Sequence, residues 1–270
     1  MITKNPKGWL AFRAFFFNMM GAGMRVIEKF MRSLRKITVE NSRLCDGCGV
    51  EVFEYPSVRL CDDCQEKLLK NNGFTCVKCG RATRGEGLCN ACKNNPPAFD
   101  VGVSALIYFD STAALVNRYK NGKRHLVYFF TEELLDCVQR LPKRDFVMVA
   151  VPLTKQKQRE RGYNQSAEIV LELAQKTGWE YRLDLLEKRS MDSQKTLSAA
   201  ERRKNIVGAF RVCERKACKG KHFLIVDDIM TSGATLSEIA STLLRAGASS
   251  VCALTVASVP DRDMAGAVFA

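Results

Sequence analysis

The sequence predicts an α/β protein in which a parallel sheet, covered by helices on both faces, follows a small cysteine-rich module. Two observations lead to this prediction. Strand-like and helix-like segments alternate from residue 101 onwards, and four Cys-x-x-Cys pairs precede them, between Cys45 and Cys92. Such alternation is typical of parallel sheets, because the connection between parallel strands must cross a face of the sheet. With 270 residues, the chain is long enough for one large core and a smaller module.

The first 40 residues form a basic segment with one short apolar run. They carry eight lysines and arginines against two glutamates, and residues 14–24 read AFFFNMMGAGM. These 11 residues are fewer than the roughly 20 that a helix needs to cross a bilayer. A secretory signal, a helix lying on a membrane surface, and a true start at Met20 or Met24 remain open. We predict no transmembrane span and a cytoplasmic protein, with peripheral membrane contact as the alternative.

The four cysteine pairs that follow are separated by 12, 11 and 9 residues. Each pair can form a turn in which two thiolates converge on one metal, and two pairs complete the tetrahedral shell of a zinc ion. We therefore predict a double zinc ribbon at residues 41–95 that binds two zinc ions. Spacing alone leaves an interleaved arrangement open. The ligands in sequential pairing are Cys45, Cys48, Cys61 and Cys64 for one ion, and Cys76, Cys79, Cys89 and Cys92 for the other.

A disulfide framework is the alternative, because the chain has twelve cysteines, an even number. Four pairs at the same two-residue spacing are more typical of zinc sites than of extracellular disulfides. The remaining cysteines occur singly and are expected to be core or incidental thiols. They are Cys137, Cys213, Cys218 and Cys252.

Beyond a Pro-Pro link at residues 93–100, the sequence predicts a sheet domain at residues 100–260. The predicted strands lie at residues 101–109, 146–152, 222–228 and 250–259. The predicted helices lie at residues 164–178 and 234–248, and each ends near a glycine. In such sheets ligands bind at the carboxyl ends of the strands, where loops and helix N-termini converge.

One predicted strand leads into FLIVDDIMTSGAT, at residues 223–235. Asp227 and Asp228 follow four apolar residues, so they are expected at the carboxyl end of a strand. Their carboxylates can accept hydrogen bonds from vicinal hydroxyls or hold a divalent cation. Residues 231–235 enter the next helix, where backbone N–H groups and hydroxyls can wrap a phosphate. A ribose phosphate would satisfy both halves of this sequence.

Charge and motifs narrow the classes of function further. The net charge of +13 favours anionic partners, although a solvated basic surface explains it equally well. The chain has no G-x-x-x-x-G-K-[ST] sequence, and no G-x-G-x-x-G follows a predicted strand, which disfavours two common nucleotide-binding folds. His125 and His222 lie far apart without a serine nucleophile pattern, which leaves a hydrolase triad unsupported.

FLIVDDIMTSGAT resembles the phosphoribosyl pyrophosphate-binding signature of type I phosphoribosyltransferases. Together with the cysteine pairs, VPLTKQKQRERGYNQS at 151–166 and QKTLSAAERRKNIVGAF at 194–210, it is similar to the ComF family of competence-related, phosphoribosyltransferase-like proteins. The resemblance covers residues 45–259 and implies a type I phosphoribosyltransferase-like sheet behind a double zinc ribbon. It departs from the family pattern at Met191, shortly before Gln194, where the family usually has threonine.

The resemblance also implies roles for individual residues. Asp227 and Asp228 would bind the ribose hydroxyls, and the pyrophosphate would lie near Val151 and Pro152, with Mg²⁺ bridging its oxygens. The residues implied for the 5-phosphate are Thr231, Ser232, Gly233, Ala234 and Thr235.

Several polar residues near these motifs have a functional and a structural interpretation. Arg159 and Arg161 would neutralise the leaving pyrophosphate, because a guanidinium matches phosphate oxygens in a bidentate way; a solvated charge run is the alternative. Tyr163 and Asn164 can be explained as caps of the following helix. Three further basic residues are expected at the surface rather than in a site, namely Lys120, Lys123 and Arg124.

Three functions are compatible with these features. The first is a phosphoribosyltransferase whose acceptor the sequence does not indicate. The second is a competence factor that binds single-stranded DNA or a helicase partner through its zinc ribbons and basic surface. The third is a non-catalytic sensor of ribose phosphates that regulates such binding. The resemblance implies DNA uptake, or the use of external DNA, as the biological setting.

Overall fold

The computed structural model describes residues 44–52, 59–142, 145–189 and 207–264. They belong to one compact unit, Leu44–Ala270, while the other unit of the chain, Met1–Arg43, lies outside the described residues. The predictions for the basic segment at 1–40 and for the region around Met191 and Gln194 also fall outside them. Among the described residues, no helix combines the length and the apolar character that crossing a membrane requires.

A five-stranded parallel sheet lies at the centre of the described unit. The described strands are β1 (Gly102–Ile107), β2 (Phe146–Ala150), β3 (Glu180–Tyr181), β4 (Leu186–Lys188), β5 (Phe210–Val212), β6 (His222–Met230) and β7 (Ser250–Ser258). The order in the sheet is β1-β7-β6-β2-β3, and β4 and β5 form a separate antiparallel pair. The four strands predicted from the sequence are confirmed, except that β6 continues two residues beyond Asp228.

Helices cover both faces of the sheet. The described helices are α1 (Asp62–Glu66), α2 (Asn90–Asn94), α3 (Asp110–Lys120), α4 (Leu126–Val138), α5 (Lys155–Arg161), α6 (Gln165–Thr177) and α7 (Ala234–Arg245). Helices α4 and α6 pack on one face and α7 packs on the other. The predicted helices at 164–178 and 234–248 and the predicted two-sided covering are therefore confirmed.

The side chains of β6 alternate between the two cores. Leu224 and Val226 pack in the core that contains α4 and α6, whereas Phe223 and Ile225 pack in the core that contains α7. All four side chains are fully buried. A strand with no face in water needs apolar residues at successive positions, which explains the continuous run FLIV.

The cysteine-rich segment packs against β1, at the edge of the sheet. The backbone N–H of Asn71 donates to the carbonyl of Ala105 at 2.8 Å, and the N–H of Ile107 donates to the carbonyl of Leu69 at 2.8 Å. The chain between the two cysteine groups thus pairs antiparallel with β1 and covers its free edge. The first group joins the core of α4 and α6, and the second joins the core of α7.

Candidate functional site

The paired aspartates lie inside β6, shortly before the strand ends at Met230. Asp228 is 4% exposed and Asp227 is partly exposed. Oδ1 of Asp227 accepts a hydrogen bond from the Ser166 hydroxyl at 2.8 Å and one from the Asp228 N–H at 3.0 Å. Burial, and then the neighbouring Asp228 charge, raise the pKa of Asp227 to about 7. Near neutral pH this carboxyl group can therefore exist with or without its proton.

Asp228 forms an ion pair with a lysine. The Lys120 ammonium nitrogen lies 3.2 Å from Oδ2 of Asp228, and the Lys120 side chain is 22% exposed. The pair compensates the charge of the buried carboxylate, which leaves its second lone pair able to accept from a ligand hydroxyl. The expectation that Lys120 lies at the surface, away from the site, is wrong.

The neighbouring strand β2 ends beside the aspartates. The backbone N–H of Val151 donates to the carbonyl of Val226 at 3.2 Å, which holds Val151 and Pro152 next to the end of β6. Asn164 donates from Nδ2 to the carbonyl of Val151 at 3.0 Å, and its Oδ1 caps α6 by accepting the Ser166 N–H at 3.0 Å. The capping role expected for Asn164 is confirmed. Through Ser166, the start of α6 also reaches Asp227.

Residues 231–235 connect β6 to α7. Gly233 stands at the N-cap of α7 with φ 79°, a conformation in which glycine is far more favourable than a residue with a side chain. Thr231 and Ser232 are exposed, and the hydroxyl of Ser232 accepts the N–H of Ala234 at 3.3 Å. The loop therefore presents hydroxyls and the unpaired N–H groups of a helix start beside the aspartates, as phosphate binding requires.

The two arginines inferred for pyrophosphate lie on α5. Thr154 caps this helix by accepting the Lys157 N–H at 3.3 Å, so α5 begins directly after the end of β2. Arg159 is exposed and Arg161 partly so. Within the described ranges, neither guanidinium makes a hydrogen bond or ion pair with a residue of the site. The structure thus brings together Val151, Pro152, the aspartates and the loop, but it does not link the arginines to them by such bonds.

Two polar side chains of the site were missed by sequence reasoning. Ser166 and Lys120 contact the aspartates as described above. Lys120 reaches the site through tertiary packing, and no local pattern marks it. Ser166 could have been found, since it lies at the predicted start of a helix.

The eight paired cysteines form two compact groups, divided as sequential pairing predicts. Within each group the sulfur atoms lie within 4.8 Å of one another. The sulfurs of Cys48 and Cys61 are 3.6 Å apart and those of Cys79 and Cys89 are 3.7 Å apart. Four thiolates around zinc lie about 3.8 Å from one another, given a Zn–S distance of about 2.3 Å, whereas a disulfide requires about 2 Å. Each group could therefore hold one zinc ion.

The environment of the sulfurs also fits a cation. Backbone N–H groups of Gly47 and Cys61 point at the Cys45 sulfur at 3.3 Å, and the Cys92 N–H points at the Cys89 sulfur at 3.4 Å. The thiol of Cys79 lowers the pKa of Cys76 to about 4, whereas burial raises the pKa of Cys92 to about 12. Negative charge thus concentrates on one sulfur, and a divalent cation would allow all four to ionise.

Comparisons with known proteins agree with this geometry. The family model described as phosphoribosyl transferase domain matches residues 162–265, which include the aspartates and the loop. DNA utilization protein YhgH of Escherichia coli K12 is 30% identical, over 71% of this chain and 93% of that protein. Competence protein ComFC of Bacillus subtilis is 25% identical, over 74% of this chain and 85% of that protein.

A hypoxanthine phosphoribosyltransferase structure from Staphylococcus aureus also matches, at 16% identity and a TM-score of 0.34, over 54% of this chain and 73% of that one. The parallel sheet, its helices and the family model define a type I phosphoribosyltransferase-like protein with a cysteine-rich module in front. The similarity to YhgH shows the particular family. The chain belongs to the ComF family, which includes these YhgH and ComFC proteins.

Proposed function

We propose that this protein binds phosphoribosyl pyrophosphate, or a related ribose phosphate, together with Mg²⁺, at the carboxyl end of β6. The observation that carries the proposal is the pair of adjacent carboxylates in β6, Asp227 and the buried Asp228, directly before a loop suited to phosphate. Hydroxyl acceptors beside an N–H-lined helix start match the two ends of a ribose 5-phosphate.

Each part of the ligand has a proposed partner. The ribose hydroxyls donate to Asp227 and Asp228, and the 5-phosphate accepts from the N–H groups and hydroxyls of residues 231–235. The pyrophosphate lies toward Val151 and Pro152. When bound there, Mg²⁺ would neutralise part of the pyrophosphate charge.

Arg159 and Arg161 are proposed to approach the pyrophosphate once it is bound. They would stabilise a departing anion through bidentate hydrogen bonds while positive charge develops on the ribose. Their exposure in the structure means that this contact requires either the ligand or a movement of α5.

The site supports transfer of the phosphoribosyl group to an acceptor, with pyrophosphate as the leaving group. A non-catalytic sensor of ribose phosphates uses the same contacts without turnover. Screening nucleobases for release of pyrophosphate separates the two: release with any base establishes a transferase, and binding without release with every base favours the sensor.

We place this activity in the uptake or use of external DNA, in line with the names of YhgH, a DNA utilization protein, and ComFC, a competence protein. A second candidate function is binding of single-stranded DNA, or of a helicase partner, by the cysteine-rich segment. Phe74, next to the second cysteine group, is 56% exposed, and an exposed aromatic ring is a surface on which a base can stack. Binding that contacts phosphates should weaken steeply as salt rises, and salt-insensitive binding would argue against it.

We further propose that the double zinc ribbon spans residues 41–95 and the phosphoribosyltransferase-like domain residues 100–260. A cytoplasmic location accords with the twelve free thiols, since reduced cysteines and thiolate zinc sites are typical of reducing compartments.

The first experiment tests the site directly. The double variant Asp227→Ala, Asp228→Ala should bind phosphoribosyl pyrophosphate with Mg²⁺ more than about 100-fold more weakly, because two hydrogen-bonded charged groups are removed. Isothermal titration calorimetry measures the affinity, and Asp136→Ala, an exposed carboxylate on α4, is the matched control. Unchanged affinity in a folded double variant would refute the site.

A further inference from the structure

We propose that Arg81 is a positioning residue that couples the second cysteine group to the phosphate loop, so that metal at that group sets the affinity of the loop for phosphate. The proposal rests on the proposed function, because it concerns the same loop at residues 231–235. It assigns the metal group at Cys76, Cys79, Cys89 and Cys92 a role beyond folding the ribbon.

Arg81 touches both features at once. It follows Cys79 closely in the chain and is only 7% exposed. Its Nε donates to the Cys79 sulfur at 3.4 Å, and its Nη2 donates to the backbone carbonyl of Thr231 at 2.9 Å. A single rigid guanidinium plane therefore joins a predicted metal ligand to the first residue of the loop, 150 positions further along the chain.

The net negative charge of the metal-bound cysteine group would stabilise Arg81 in this position. Four thiolates around one Zn²⁺ carry a net charge of −2, and a buried charge is stable only when a partner compensates it. Arg81 supplies a fixed positive charge at the Cys79 sulfur. When the metal leaves, the four sulfurs are no longer held around one ion, so the position of the Cys79 sulfur that Arg81 contacts is no longer fixed.

The hydrogen bond to Thr231 controls which way the loop faces. In a trans peptide the C=O and the following N–H point in opposite directions. With the Thr231 carbonyl held by Arg81, the N–H of Ser232 points away from the ribbon. A freed carbonyl could turn into the site, where its negative end would repel phosphate.

A second link holds the strand end from the same side. The N–H of Asp261 donates to the carbonyl of Ala82 at 2.9 Å. Oδ2 of Asp261 accepts a hydrogen bond from the N–H of Asn90 at 3.0 Å. The N–H of Val259, two residues earlier, donates to the carbonyl of Met230 at 3.0 Å. Residues beside Cys79 and Cys89 thus fix the position from which the loop departs.

The first cysteine group is connected differently. Arg118, on α3, donates to the carbonyls of Asp46 and Gly47, and His125 lies 2.7 Å from an Asp46 oxygen. Within the described ranges, these links reach α3 and the start of α4 and do not reach the loop. Arg118 is therefore a matched control, an arginine that also joins a ribbon to the sheet domain through backbone carbonyls.

The first measurement uses the unaltered, full-length protein loaded with zinc. A coloured chelator removes the zinc, and the rate of release is followed with and without ribose 5-phosphate. Bound sugar phosphate would hold the loop, and through it Arg81, against the Cys79 sulfur. The zinc ion of the second cysteine group should therefore be released more slowly, by about 5-fold or more, whereas release from the first group should not change. Zinc release rates that are the same with and without ribose 5-phosphate would overturn the proposal.

The second measurement compares Arg81→Gln with Arg118→Gln. Arg81→Gln should keep both zinc ions but bind ribose 5-phosphate about 10-fold more weakly, and the protection of zinc should disappear. Arg118→Gln should retain both the affinity and the protection. If Arg81→Gln does not fold, the release rates of the unaltered protein decide the matter.

The outcomes separate this inference from the function on which it rests. If the unaltered protein fails to bind ribose 5-phosphate, the proposed function falls and the coupling falls with it. If it binds, but zinc release is unaffected and Arg81→Gln retains full affinity, only the coupling is refuted.

Discussion

Asp227 combines a partly buried carboxyl with a close acidic neighbour. Both raise its pKa, from an ordinary value of 3.8 to about 7, against the opposing hydrogen bond from Ser166. In the unfolded chain the carboxyl loses its proton near pH 4, whereas in the folded protein it keeps the proton until about pH 7. Between about pH 4 and pH 7 the folded state therefore binds more protons than the unfolded chain. The contribution of Asp227 to the free energy of unfolding consequently falls as pH rises across this range.

Replacing Asp227 by asparagine should remove that decline. The free energy of unfolding of Asp227→Asn, minus that of the unaltered protein, should increase between about pH 4 and pH 7 and then level off. Urea unfolding across this range measures the difference. Asp136→Asn, an exposed position, should show no such trend, and an equal trend in both variants would contradict the raised pKa.

Among individual residues, the sequence identifies those that belong to a short local motif. The eight paired cysteines, the two aspartates and the loop at 231–235 are recognisable because each belongs to a short motif, either a Cys-x-x-Cys pair or the run DDIMTSGAT. Lys120 and Arg81 meet Asp228 and Thr231 only after folding, so no spacing marks them. The favoured interpretation of Lys120 as a surface residue failed because a charge in a polar run can still turn inward.

Among the elements, the turn from β6 into α7 depends on one backbone conformation. Gly233 has φ 79° at the start of α7, and Gly178 has φ 74° at the end of α6. A side chain at either position is strained by about 1–2 kcal/mol, because left-handed backbone brings Cβ close to the carbonyl oxygen. The two glycines differ in that only Gly233 belongs to the proposed phosphate site.

Gly233→Ala and Gly178→Ala should each lower the free energy of unfolding by about 1 kcal/mol. Only Gly233→Ala should also weaken ribose 5-phosphate binding, by about 10-fold, because the N–H groups of the loop are displaced. Thermal unfolding and calorimetry provide the two values. Equal affinities in the two variants would show that the loop does not bind the phosphate.

The elements found from the sequence have a strong period or a clear stop. Residues 164–178 and 234–248 show helical spacing of apolar residues that closes at a glycine, and β6 and β7 are continuous apolar runs. Strands β3, β4 and β5 are two or three residues long, too short to have a period. Helix α4 was not predicted, although its buried Leu126, Val127, Phe130 and Leu134 follow helical spacing.

In the whole molecule, the two cysteine groups hold the edge of the sheet from opposite faces. We expect about two zinc ions per chain, by metal analysis, since eight thiolates at four per ion are available. Cys64→Ser and Cys92→Ser should each remove about one ion and lower the melting temperature. Cys213→Ser, at an exposed cysteine outside both groups, should change neither value, and zinc loss there would contradict the assignment.

The layered sheet and the presence of a metal module were predictable, because both follow from patterns within a segment. The packing of that module on β1 was not, since it depends on which sheet edge is free and on contacts between distant residues such as Asn71 and Ala105. The sequence accordingly suggests two domains in series and gives no contact between them.

The short antiparallel segment at residues 69–71 affects whether the protein would self-associate after losing its metal. It shields the backbone of β1, every residue of which is buried, and it is tethered on both sides by a cysteine group. Removal of the metal would free this segment and expose the apolar edge of β1, which could then pair with β1 of another copy. Zinc depletion would then appear as aggregation and sedimentation of the protein, in addition to any loss of phosphate affinity.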